Sequence, residues 1–225
     1  MDDNAVATAG HLPRLAYWLG LFAAGFGYVA FVLCRRDTPI SGPEDFPLEF
    51  WKLLAVGIAL YAISANRTLK PFGAPGGTLW NLAGFGIPFF LMLHWEYVGQ
   101  TFPWLNHSLT PWAFKRMTPA SIAVFASGTL LVTFIALYHG RLAWKERILR
   151  PYTGSFAALL AAVVLITFVL QRTHYPHIHH WFIGIMFIPW LRFPHPLTLV
   201  CLGLSSGLFV EGAARWGMDT LWYPR

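Results

Sequence analysis

Charge is what this chain has least of. Only 12% of its 225 residues are charged, against 56% hydrophobic, whereas a soluble globular domain carries roughly a quarter charged residues. A water-soluble body is therefore excluded, and a membrane protein is the expected class. Cysteine is almost missing: Cys34 and Cys201 are too few for a disulfide framework and form no CxxC metal motif, so they say nothing of the redox compartment. Also lacking is any basic stripe. The 16 lysines and arginines outnumber 10 acidic residues, but they are scattered through short intervals, which argues against a nucleic-acid partner and for topology signals and headgroup contacts. The opening MDDNAVATAGHLPR has two aspartates where a secretory signal or mitochondrial presequence carries basic residues. The apolar run after it is read as a retained helix.

What is present is a series of long apolar runs. A spanning helix needs about 20 mostly apolar residues, and segments 15–34, 49–66, 79–98, 119–139, 153–171 and 196–214 qualify. Pro119 and Pro196 suit first-turn positions, while Arg35, Arg36, Arg67, Arg141 and Arg172 close runs where interfacial charge belongs. A further stretch from Trp181 to Leu191 is too short to cross by itself. Extended to 176–193, it reaches roughly 27 Å as a helix. Pro176 as its start, with Trp181 and Trp190 as anchors, favours a span over a re-entrant segment, and Pro189 should bend its last turn. The expected fold is one all-α polytopic bundle of about seven transmembrane helices.

Seven crossings sort residues by side. His94, Glu96, His107, His174, His177, His179, His180, Glu211 and Asp219 share one side with Asp37, Glu44, Asp45 and Glu49, while Asp2, Asp3 and Glu146 fall on the other. The short interval GRLAWKERILRP holds Arg141, Lys145, Arg147 and Arg150 and is cytoplasmic by the positive-inside rule. The N-terminus is then cytoplasmic, and the histidine side faces a lumen or the exterior. Two sequons, at Asn66 and Asn106, fall on opposite sides, so both cannot carry a glycan.

Four histidines crowd into QRTHYPHIHHW, at positions 174, 177, 179 and 180. On a helix His177 and His180 share a stripe with Gly184. The last helix offers Gly203, Gly207 and Glu211 at four-residue spacing, a small-residue contact stripe ending in a carboxylate. An intramembrane carboxylate is costly unless paired or liganded, which makes it a functional candidate. His177, His180, Glu211 and His94 together would suit zinc or iron, with Glu211 and His180 as the groups placed to act on a lipid or a small membrane-associated substrate beside a metal-bound water. The competing readings are plain: interfacial histidines bonded to headgroups, Glu211 paired with Arg215 one turn on, and His94 in an aromatic belt with Trp95 and Tyr97. His139 and His195 lie on the opposite side. One histidine box is too few for the membrane desaturase pattern.

Besides a metal-dependent enzyme, two other functions fit. An ion- or proton-coupled transporter or channel would use the same groups as a relay, although the two halves show no repeat. A non-catalytic subunit would bind a membrane-protein partner or a second copy through its glycine-rich helix faces and 11 tryptophans.

Overall fold

Backbone removed from water must satisfy its own N–H and C=O groups, which is why apolar runs of this length become helices. A computed structural model describes residues 3–34, 45–102, 105, 116–176, 180–218 and 221–224, with backbone alone for 3–9, 45 and 180. The all-helical expectation holds: 81% of the structure is helical. Helix α1 (Asp3–Tyr28) continues into a π-helical turn, Val29–Leu33. Helix α2 (Asp45–Leu60) continues through a π-helical turn, Tyr61–Ala65, to a final turn at Asn66–Thr68. Helix α3 (Gly77–Met92) has a third such turn at Leu82–Gly86. Then come α4 (Trp95–Thr101), α5 (Pro119–Lys145), α6 (Leu149–Leu170), strand β1 (His174–Pro176), α7 (His180–Phe187), α8 (Pro196–Trp216) and strand β2 (Trp222–Pro224).

Five helical stretches are long and apolar enough to cross a membrane: Gly10–Leu33, Phe46–Thr68, Pro119–Lys145, Leu149–Leu170 and Pro196–Trp216. The two others expected to span are shorter, Gly77–Met92 and Trp181–Trp190. Instead of running on to residue 98, α3 stops at Met92, and His94 stands at the cap position of α4 with φ −100° and ψ 13°. Nor does Pro176 start a helix. It lies in β1, whose register with β2 is His174↔Pro224, Tyr175↔Tyr223 and Pro176↔Trp222. Tyr175 and Tyr223 stack with ring centroids 6.0 Å apart, and the Trp222 indole N–H donates to Thr167 Oγ1 at 3.0 Å. This pairing holds His174–Pro176 in extended form. Pro189 sits in a 3₁₀ turn, Ile188–Trp190, that closes α7, a tightening that suits a residue with no N–H to give.

Two compact units emerge. Unit 1 comprises Met1–Leu93 and His179–Thr220, and α8 is its centre: 78% of its apolar window is buried, against 33% and 28% for α1 and α2. Around it runs an aromatic ladder. Trp18 meets Phe22 at 4.5 Å and Phe85 at 5.2 Å, and Phe22 meets both Phe89 and Phe209 at 6.0 Å. Close approach is made by glycine. A Cβ at Gly203 would stand 2.5 Å from Phe85 O, and one at Gly207 2.4 Å from Phe89 O. In membranes such backbone contact replaces the missing hydrophobic drive between helices.

Unit 2 comprises His94–Ile178 and Leu221–Arg225. Its helices α5 and α6 bury 6% and 0% of their apolar windows, as helices bathed by lipid would. Thr118 Oγ1 caps α5 by accepting Ser121 N–H at 3.2 Å, with Pro119 in the first turn. The helix ends in a Schellman motif: Ile148 N donates to Ala143 O and Arg147 N to Trp144 O, both at 2.9 Å, with Arg147 at φ 59°.

Candidate functional site

The buried carboxylate expected at Glu211 is real: the residue is fully buried, and Arg215 Nε donates to its Oε1 at 2.9 Å, one turn along α8. Its neighbour Gly212 is where α7 arrives, since a Cβ there would lie 2.6 Å from Trp181 N. Lower on the same contact, a Cβ at Gly184 would stand 2.6 Å from both Phe209 N and Ser205 O. The two helices are thus in backbone contact along a glycine seam. The stripe of Gly203 and Gly207 does not belong to that seam. It faces α3, meeting Phe85, Pro88, Phe89 and Met92, because on a helix Gly212 and Ser205 point nearly opposite to Gly203.

Of the four proposed metal ligands, His177 lies outside the described residues, and of His180 only the backbone is described. His94 belongs to unit 2 and Glu211 to unit 1. Among the described residues no group of three or more His, Cys, Asp or Glu side chains could hold a metal ion. His195 has a structural task of its own: its Nδ1 accepts Leu197 N–H at 3.2 Å and caps α8.

At the end of unit 1 where α2 terminates, a polar network appears that sequence reasoning missed. Arg14, 9% exposed, donates from Nη1 to Asn66 O at 2.8 Å and Leu69 O at 3.0 Å, and from Nε to Gly10 O at 2.9 Å. Its Nη2 gives a hydrogen bond to His11 Nδ1 at 3.1 Å. Trp80 Nε1 donates to Thr68 O at 3.3 Å. A helix end leaves carbonyls without intrahelical partners, and a cation there also meets the negative end of the helix dipole. Asn81, fully buried, holds the loop after α2 by accepting Lys70 N–H at 3.0 Å and donating to Lys70 O at 2.8 Å. Tyr17 donates to Asn81 O and Tyr61 to His11 O, each at 3.0 Å. Ser64 and Thr68, both fully buried, converge on Leu191 O from 2.5 and 3.0 Å.

The opposite end of α2 is fixed by Glu49. Its Oε2 accepts Met218 N–H at 2.8 Å, just beyond α8, and Lys52 Nζ donates to its Oε1 at 2.5 Å. Helix α7 therefore begins against Gly212, near the Glu49 end, and its chain reaches Leu191 at the Thr68 end.

The chain matches no family model, and no curated protein or solved structure is significantly similar to it.

Proposed function

We propose that this multi-pass, membrane-type helical protein is a non-catalytic membrane subunit, with unit 1 as a fixed anchor. The observation that carries the reading is what the buried charges do. Arg14 satisfies the carbonyls that end α2, Glu49 holds the chain leaving α8, and Glu211 pairs with Arg215. Each holds a chain segment or a neighbouring charge in place. Seven crossings remain the topology we favour, since the short α7 touches both ends of unit 1. By the positive-inside rule the N-terminus is then cytoplasmic. Lipids are its first partners, and a membrane protein docking on unit 2 is the next.

A second reading keeps a zinc or iron centre formed by His177, His180, Glu211 and His94, acting on a lipid or a small polar substrate. It is favoured by one contact: Trp181, next in the chain to His180, lies against Gly212, next to Glu211. If Glu211 serves only structure, Arg215→Met should cost about 3 kcal/mol by stranding a buried charge, and adding Glu211→Gln should restore most of it. Chemical unfolding in detergent micelles measures both. Elemental analysis of the purified protein should find neither metal in stoichiometric amount. Stoichiometric zinc or iron, lost in a His177→Ala, His180→Ala variant, would overturn the non-catalytic reading.

A further inference from the structure

Three cations flank one buried contact. Thr68 Oγ1 donates to Leu191 O at 3.0 Å, and Arg67, Lys70 and Arg192 all lie within two residues of that bond along the chain. Arg67 is exposed, while Lys70 and Arg192 are half-buried. Lys70 Nζ also lies 4.0 Å from the centroid of the Trp80 ring, an indole and ammonium pairing suited to headgroup depth. Arg14 adds a fourth positive charge just beneath, bonded to Asn66 O and Leu69 O.

Among the described residues no salt bridge reaches Arg67, Lys70 or Arg192. Among the described residues the salt bridges are Lys52–Glu49 and Arg215–Glu211, and Glu49 and Glu211, the acidic side chains described in unit 1, sit at the far end, by Met218 and Gly212. Like charges that share one end of a bundle repel wherever they come within a Debye length of about 8 Å. An anion from outside the chain relieves that cost.

We infer that the end of unit 1 formed by Arg67, Lys70 and Arg192 binds anionic phospholipid headgroups, selecting them over zwitterionic ones. The occupant is a lipid rather than a free anion, because Arg67 stands in the last turn of the apolar stretch Phe46–Thr68 and Lys70 lies over the Trp80 indole, a pairing of cation and aromatic ring that belongs at headgroup depth. Anionic lipid at the surface is worth about five-fold in affinity for each lysine or arginine near it. The inference rests on the membrane-spanning reading above.

The test uses the full chain reconstituted in vesicles of phosphatidylcholine doped with spin-labelled phosphatidylglycerol or spin-labelled phosphatidylcholine. The wild type should immobilise the phosphatidylglycerol probe several-fold more, and the preference should fade with added salt. Arg67→Gln, which removes an exposed side chain, should lower it measurably, and the Arg67→Gln, Lys70→Gln, Arg192→Gln triple variant should abolish it. Lys52→Gln, an equal charge change at the other end, should leave it intact. Equal immobilisation of the two probes by the wild type, or an unaltered preference in Arg67→Gln, overturns the inference even if the triple variant fails to fold. Carbonate extraction separates the two claims: protein that washes out refutes the spanning reading, whereas protein that stays without lipid preference refutes only this one.

Discussion

Arg147 holds a backbone conformation that suits glycine better. Its φ of 59° places a side chain in the left-handed region, which costs a residue with a Cβ about 1 kcal/mol. The Schellman hydrogen bonds at the end of α5 need that conformation whichever residue occupies it. Arg147→Gly should therefore raise the unfolding free energy by about 1 kcal/mol, measured by chemical unfolding in micelles; a loss of stability would mean that the guanidinium contributes more than the strain. Residues differ in how far the sequence shows their work. Glu211 was conspicuous as an acid inside an apolar run, and its pairing with Arg215 is readable from four-residue spacing. Arg14 and Asn81 were not, because their partners are backbone carbonyls and amides of remote segments, which leave no mark in composition or motif. The histidines at 177 and 179 and the side chain at 180 lie outside the described residues, so their cluster stays a proposal from spacing.

The elements were legible wherever hydropathy alone decides them. Helices α5, α6 and α8 follow from apolar length with proline in the first turn of α5 and α8, both local properties. Pro176 shows the limit: its helix-starting character yields to a pairing with Trp222, far along the chain. Glycine spacing marked α8 as a contact helix but could not say that Gly203 and Gly207 meet α3. The seams give a graded expectation. Gly184→Ala and Gly207→Ala would drive a methyl into the backbone of Phe209 or Phe89 and should destabilise by about 1–3 kcal/mol each. By contrast, Gly128 and Gly154 have nothing within 4 Å of a built Cβ, so alanine there should be neutral or add up to about 1 kcal/mol. Thermal unfolding in one detergent would rank the four variants, and equal effects would refute the seam.

For the whole molecule the decisive quantity is the number of crossings. Cys34 and Cys201 are both buried, so they should stay silent to an impermeant maleimide, and single cysteines can be read against that background. Arg67→Cys should label from the cytoplasmic side alone, with Lys52→Cys and His174→Cys labelling from the opposite side. Labelling of positions 67 and 52 from the same compartment would mean that α2 does not cross, and a split between 52 and 174 would change the parity of everything between them. The place of α8 has a further consequence. It is the most enclosed helix of unit 1, yet translation reaches it after α1, α2 and α3, so those three leave the ribosome with their mating surfaces vacant. Their assembly has to wait for a late arrival, and a stop codon anywhere before Pro196 would leave an insertion product with no hub, marked out for degradation by membrane quality control.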